Sequence, residues 1–451
     1  MSERLVVIGG DAGGMAAAAN ARRRRRTDLE IVALEMGRWT SYSACGIPYV
    51  IGGEVFSLDD LVARSPQEFR DNLSIDVRTE HEVTAIDLGA RTVEVRNHGH
   101  DRTYRLGFDV LHIATGGRPR RPDIPGIRSP HVYGVQTMAD AARLVDRVKT
   151  DTVKRVAVIG GGYIGLELAE AFLKRQAQVT VVERGPEVMA TLDPDVGAMV
   201  TDALRREGVT VLCGESVVGV EEGAITTSER TVPADIVVLG LGVEPNSTLA
   251  ADAGVSTGVR GAIVVDRRQR TSAEGVWAAG DCCESFNLVT GKQVHVALGT
   301  VANKQGRVAG INIGGGYATF PGVVGTAITR VCALEIGRTG LTEKEATAAG
   351  FGYVVAKIES TTTAGYIPGA GPITVKLLAE RGSGRLLGGQ VFGTEGTAKR
   401  IDVLATAITA GMTAEDLVEL DLSYAPPFSP VWDPVQAAAR KALGLLVAAG
   451  H

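Results

Sequence analysis

One pattern occurs twice and constrains everything else in the chain. "RLVVIGGDAGGMAAAANARRRRR" runs from an apolar strand, Leu5 to Ile8, through a glycine turn into an alanine-rich helix, and "LEIVALE" then ends on Glu35. "KRVAVIGGGYIGLELAEAF" repeats that order, and "AQVTVVE" ends on Glu183. Glycines at the strand end let the next helix begin close behind the strand, so its free N–H groups face the turn. The acid follows Gly9 by 26 residues in the first unit and Gly160 by 23 in the second. Units of this kind assemble into parallel sheets covered by helices.

This is the Rossmann arrangement, in which the helix start faces a pyrophosphate and the acid meets ribose hydroxyls. The second unit carries the full GxGxxG at Gly160, Gly162 and Gly165, with Tyr163 and Ile164 before the last glycine. The first is imperfect, because Asp11 stands where the second glycine belongs. Gly9, Gly10, Gly13 and Gly14 around Ala12 still keep the backbone open to a ligand. A ligand-free scaffold with glycine turns is the plain alternative, and the repetition argues against it. Glu183 would accept from an adenosine 2′-hydroxyl and repel a 2′-phosphate, which favours NADH over NADPH. Arg184 beside it would soften that preference.

At 451 residues the chain exceeds one core, and a prior of ~150 residues per domain suggests about three. The net charge of −5 gives no electrostatic case for nucleic acid. No uninterrupted apolar stretch reaches the ~18 residues of a membrane span, and no export segment is expected before the first strand. Cys45, Cys213, Cys282, Cys283 and Cys332 have neither CxxC nor zinc spacing, so no metal site is expected. Their odd number and scatter point to a reducing cytoplasm.

Two further signals lie outside the repeated units. "LHIATGGRPRRPDIPG" ends a strand on Ala114, Thr115 and Gly116, and "TSAEGVWAAGDCCES" leads into Gly280 and Asp281. With the paired units, they resemble the two-dinucleotide-binding flavoproteins, the FAD-dependent pyridine nucleotide-disulfide oxidoreductases. The resemblance covers nearly the whole chain. It implies an α/β fold with two Rossmann-like domains and a C-terminal α+β dimerisation domain, and hence a homodimer. The FAD domain would span 1–115 and 250–320, the NADH domain 116–249, and the dimerisation domain 321–451. Helices are expected near Leu404–Met412 and Val435–Leu446. The resemblance also implies that FAD and NADH are held by Gly9, Gly10, Ala12, Gly13, Gly14, Glu35, Ser43, Val83, Ala114, Thr115, Gly116, Gly160, Gly162, Tyr163, Ile164, Gly165, Glu183, Gly242, Asp281, Ala297 and Thr300. Asp281 would take the flavin ribityl chain.

"SYSACGIPYVIGG" reads as a short helix with Pro48 in its first turn and a stop at Gly52 and Gly53. Cys45 then sits at a helix start, where the macrodipole and free N–H groups stabilise a thiolate and lower the thiol pKa. An inert core cysteine is the bland alternative. Glutathione reductase-like members have a second cysteine five positions on, where this chain has Val50. The chain is instead similar to the single-cysteine subgroup: coenzyme A-disulfide reductases, NADH oxidases and peroxidases, and NAD(P)H persulfide reductases. Peroxidases of this type carry a histidine at the position of Ala12. Adjacent Cys282 and Cys283 are not suited to a relaxed mutual disulfide.

Tyr366 in "TAGYIPGA" and Tyr424 in "DLSYAPPFSPVWDP" are 58 residues apart. They resemble the tyrosine pair that coenzyme A-disulfide reductases bring from the partner subunit to the cysteine. A phenol can donate to a departing thiolate, though interface packing alone would also place tyrosines there. Asn20, Arg23, Ser41 and Asn303 match substrate-contacting positions. Arginine suits phosphate, but the run Arg22 to Arg26 also reads as a solvated face favoured by the helix dipole. Ala44, in place of a polar residue, and Trp432, where several relatives have a lysine, depart from the pattern. The expected reaction passes a hydride from NADH to FAD and electrons on to Cys45, reducing a coenzyme A-type disulfide or persulfide. The alternatives are an NADH oxidase working through a Cys45 sulfenic acid and, from another class, a flavin electron carrier or redox sensor for a protein partner.

Overall fold

The structure, a computed structural model, describes residues 3–25, 28–150 and 152–450. Five parallel strands form the first sheet in the order Val276–Ala278, Val110–Ile113, Glu3–Ile8, Leu29–Glu35 and Asp76–Thr79. Register aligns Ile8 with Leu34 on one side and with Ile113 on the other, so these strands end level at the first glycine turn. Late strand 276–278 pairs with 110–113, which brings Gly280 and Asp281 to the same edge. Helices Ala12–Arg24 and Gly299–Ile313 lie together on this sheet, burying Leu5, Val7, Ala17 and Ala309.

The second sheet repeats the scheme with Thr210–Cys213, Gln178–Glu183, Arg155–Ile159, Ile236–Leu239 and Val132–Tyr133, all parallel. Its strands read as unbroken apolar runs because both faces are covered, with Val156, Ala157 and Val158 fully enclosed. Each parallel sheet is accompanied by a three-stranded antiparallel one, 81–107 and 217–233, which the sequence reading did not anticipate.

The C-terminal part is a five-stranded antiparallel sheet in the order Ala327–Val331, Leu334–Gly340, Leu386–Gly393, Pro372–Glu380 and Tyr353–Thr361. Helix Pro434–Ala448 packs on strands 353–361 and 372–380, and helix Ile401–Thr409 on strand 386–393. Helix Ile401–Thr409 ends short of Met412 because Gly411 turns with φ +71°. Thr413 then opens another helix, Ala414–Val418, with a capping box.

The arginine run divides. Arg22 turns inward and donates to the Ser74 carbonyl at 3.0 Å. Arg25 pairs with Glu3 and Asp28, and Arg23 stays exposed. Arg26 lies outside the described residues. Lys376 joins the second parallel domain to the C-terminal sheet, with Nζ 3.0 Å from Asp193, 2.6 Å from Asp195 and 2.6 Å from Glu343. Burial alone would pull its pKa down, but the three carboxylates outweigh that and hold it above the ordinary value. These acids lie close enough to suggest a metal cage, yet the lysine ammonium already sits among them. Among the described residues, no helix is long and apolar enough to cross a membrane.

Candidate functional site

Both glycine turns have the same construction. Gly9 and Gly160 adopt φ +105° and +100°, where only glycine is comfortable. A Cβ on Gly14 would strike the Gly9 carbonyl oxygen, and one on Gly165 the Gly160 carbonyl oxygen. Glu35 accepts the Gly10 N–H on Oε2 and the Gly37 N–H on Oε1, both at 2.7 Å. Glu183 accepts Gly161 on Oε2 at 2.8 Å and Gly185 on Oε1 at 2.7 Å. Each acid is thus locked at the mouth of its own turn. Burial pushes the Glu35 carboxyl up, and its two amide bonds pull it back.

The rest of the first site gathers around that turn. Gly13 lies against the Ala279 carbonyl, and Gln305 accepts the Gly280 N–H at 2.9 Å. Burial pushes the Asp281 carboxyl up to about 6. Among the described residues no hydrogen bond reaches that carboxylate, whereas the Asp281 carbonyl pairs with His295 Nε2 at 2.7 Å. An open glycine cradle, a helix start and a half-buried acid without a protein partner fit a dinucleotide carrying a polyol chain. Ala12 begins the helix, and Ala114 and Thr115 follow the neighbouring strand end. Thr115 Oγ1 donates to the Asn246 carbonyl at 2.5 Å, and Gly116 accepts the Asn246 N–H at 3.0 Å. Ser43 is exposed beside Cys45, Ala297 is half-buried, and Thr300 is exposed in the first turn of helix 299–313. Val83 lies in the accessory antiparallel sheet, buried in the same core cluster as Ile8 and Leu34. In the second site, Tyr163 and Ile164 open the helix after Gly162, while Gly242 bends the chain with φ +73°.

The Cys45 segment is sewn to the first turn. Thr40 Oγ1 and Ser41 N both donate to the Gly10 carbonyl, the latter at 2.9 Å. Tyr42 N donates to Asp11 Oδ1 at 3.1 Å. Asp11, the apparent defect in the glycine motif, is therefore a clamp. Its signal in the sequence was a capping-type residue at a helix start, and the side chain caps nothing in that helix. Burial pushes its carboxyl up to about 6; the Tyr42 amide opposes this, and Glu35 adds to the rise. Ser41 pays for the close approach with a left-handed backbone, φ +49°.

Cys45 lies in a short turn, Ala44–Gly46, that leads into helix Ile47–Gly52, with Pro48 in its first turn and Gly53 stopping it at φ +83°. The sulfur is free and exposed. The expected low pKa is not found. Although the residue is open to solvent, burial of its surroundings pushes the thiol up, and the carboxylates of Glu167 and Asp281 push it further. Glu167 comes from the helix of the second glycine unit, and its carboxylate accepts from Thr329 at 2.8 Å. Sequence reading missed it because nothing in "GLELAE" tells that this helix packs on the cysteine helix. Cys282 and Cys283 are both buried, with sulfurs 3.6 Å apart.

Tyr366 and Tyr424 meet on the C-terminal domain, 73% and 48% exposed. The Tyr424 hydroxyl beside it pushes the Tyr366 phenol up. Among the described residues no hydrogen bond links either phenol to Cys45 within the chain. Asn20 Nδ2 bonds back to the Ala16 carbonyl at 2.8 Å, and Asn303 Nδ2 to Gly299 at 2.9 Å. Arg23 has no hydrogen-bond partner among the described residues, so its guanidinium is available. Trp432 is stacked under Arg440, 4.4 Å from guanidinium carbon to ring centre.

Comparison with known proteins agrees with this construction. The pyridine nucleotide-disulphide oxidoreductase family matches residues 3–306, and the dimerisation domain of pyridine nucleotide-disulphide oxidoreductases matches 326–434. A CoA-dependent NAD(P)H sulfur oxidoreductase of Pyrococcus furiosus is 38% identical over 97% of this chain and 98% of its own length. The solved structure of an NAD-dependent persulfide reductase from A. fulgidus superposes with TM-score 0.95 at 40% identity, covering 99% of this chain and 84% of that one. A water-forming NADH oxidase from Lactobacillus brevis, solved with NADH bound, superposes with TM-score 0.95 at 27% identity over the whole of both chains. Two glycine turns of one design, a single exposed cysteine clamped to the first and matches across both halves place this chain in the pyridine nucleotide-disulphide oxidoreductase family.

Proposed function

We propose that the protein uses NADH to reduce a low-molecular-weight disulfide or persulfide of the coenzyme A type through FAD and Cys45. The observation that carries this reading is the clamp. Asp11 and Gly10 hold residues Thr40, Ser41 and Tyr42 against the first glycine turn, and Cys45 just beyond them carries a free, exposed sulfur. A pure electron carrier has no need of that sulfur.

FAD would be held by the turn at Gly9–Gly14, Glu35 and Asp281; it supplies two-electron transfer between nicotinamide and sulfur. NADH would be held by the turn at Gly160–Gly165 and Glu183. Arg184 is exposed next to that acid, which supports tolerance of NADPH. The Cys45 thiolate attacks one sulfur of a substrate disulfide, forming a mixed disulfide as the substrate S–S bond breaks. The displaced thiolate takes a proton from the Tyr366–Tyr424 pair, brought by a second copy of the chain. Two electrons and a proton then release the second thiol and restore Cys45, so one NADH and one further proton are consumed for two thiols formed.

The exposed side chains of Tyr366, Phe428, Val431 and Trp432 on one domain support a homodimer in which that surface is covered. Five unpaired cysteines support a reducing, cytoplasmic setting.

The test is Cys45→Ser. Reduction of the bound flavin by NADH should persist, while disulfide or persulfide turnover should fall to background. Retained turnover would give the chemistry to the flavin alone and remove the reading.

A further inference from the structure

We infer that Arg400 is the positioning residue for the Tyr366–Tyr424 pair, an assignment that rests on the reading above in which those phenols serve the leaving thiolate. Within a single chain both tyrosines are exposed, so packing by their own domain does not fix them before a second copy covers the surface. Their placement must come from the loops that carry them, and those loops meet at one guanidinium. Arg400 Nη2 donates to the Thr362 carbonyl at 2.7 Å and to the Phe428 carbonyl at 2.9 Å. Thr362 lies four residues before Tyr366, and Phe428 four residues after Tyr424. One nitrogen therefore ties the base of each tyrosine loop.

The rest of the fork anchors that nitrogen. Nε donates to Asp433 Oδ2 at 3.0 Å, and Asp433 itself caps the last helix by accepting the Val435 N–H at 2.9 Å. The Arg400 side chain is 11% exposed and that of Asp433 15%, so the pair is shielded from solvent screening. The planar guanidinium, with several fixed donors, serves three carbonyls, those of Thr362, Phe428 and Gly396, and the Asp433 carboxylate at once. A backbone bond, Ala364 N–H to the Pro426 carbonyl at 2.9 Å, also links the loops, and the two phenols meet at their tips. Arg400 touches neither Cys45 nor a phenol, so its effect on turnover passes through the geometry of the pair.

The test is a double-mutant cycle on the full-length holoenzyme with coenzyme A disulfide as the substrate. Arg400→Lys keeps a charge opposite Asp433 but loses the fork. It should leave the rate of flavin reduction by NADH unchanged and lower kcat for the disulfide by roughly ten- to a hundredfold, the scale of an ångström-sized misplacement. Combined with Tyr424→Phe, it should add less than about twofold to the loss that the tyrosine variant causes alone, because the group it positions is gone. If Arg400→Lys does not retain flavin, Arg400→Gln with Asp433→Asn removes both charges together and should give the same pattern. Full disulfide kcat in the folded arginine variant, or losses that multiply with Tyr424→Phe, would overturn the assignment while leaving the tyrosine reading intact. Full kcat in both Tyr366→Phe and Tyr424→Phe would overturn the two together.

Discussion

Glu167, on the helix of the second glycine unit, lies close enough to Cys45, on the segment tied to the first, for its charge to raise the thiol. The acid belongs to the nicotinamide side of the molecule and the sulfur to the flavin side, so a charge from across the domain contact adds to the effect of burial on the thiol. Thr329 of the C-terminal sheet holds the same carboxylate. Three parts of the chain thus converge on one acid.

Glu167→Gln should therefore lower the Cys45 thiol pKa. A carboxylate opposes formation of a thiolate beside it, and the amide removes that opposition while keeping an acceptor for Thr329. In the reduced enzyme the thiolate-to-flavin charge-transfer band should appear at lower pH than in the parent protein. The measurement is a pH titration of that band. A midpoint that stays put or moves upward would mean that Glu167 does not act on the sulfur.

Glu183→Ala should narrow the preference for NADH over NADPH. The carboxylate is held by Gly161 and Gly185 at the mouth of the second turn, where it would accept from a 2′-hydroxyl and repel a 2′-phosphate. The ratio of kcat/KM for the two nucleotides should fall mainly through a higher KM for NADH. Arg184 remains to meet the extra phosphate. An unchanged ratio would show that the second turn is not where the adenosine is read.

Lys376→Met should be strongly destabilising. The lysine is 3% exposed and answers three carboxylates, one of them 1% exposed. Removing it leaves buried charge uncompensated, at a cost of about 3–5 kcal/mol. Chemical denaturation should register the loss, and the added replacement Asp193→Asn should recover part of it. A loss below about 1 kcal/mol would put the cluster in the class of exposed pairs.

The parallel sheets and both turns were legible because their geometry needs glycine at fixed places. Gly9, Gly14, Gly160 and Gly165 occupy positions where a Cβ is strained or strikes backbone. What stayed hidden depends on distant parts of the chain meeting. The helix start predicts a lowered Cys45 thiol pKa, but burial raises it, and the carboxylates of Glu167 and Asp281, far along the sequence, add to the rise. No motif marks Arg400 in the sequence, and only folding brings Thr362 and Phe428 to it. Asp11 was legible as a departure from the motif and not as a clamp, since Tyr42 offers only a backbone N–H.

Arg23→Ala tests the identity of the substrate. Arg23 projects from the last turn of helix Ala12–Arg24, exposed and without a partner among the described residues. At ~1.5 Å per residue it stands roughly 16 Å along the helix from Ala12, which suits a thiol carried on a long arm that ends in phosphate. A charge-assisted contact with phosphate is worth roughly 1.5–3 kcal/mol, so the KM for coenzyme A disulfide should rise on the order of ten- to a hundredfold. Small disulfides without phosphate should be nearly indifferent to the change. Tyr424→Phe should show the opposite split, lowering kcat with little effect on KM, because it removes a proton donor and no binding charge. Steady-state kinetics with one phosphorylated and one phosphate-free disulfide decide the matter. If Arg23→Ala leaves both substrates equally unaffected, the coenzyme A reading falls, and oxygen becomes the acceptor to test at Cys45.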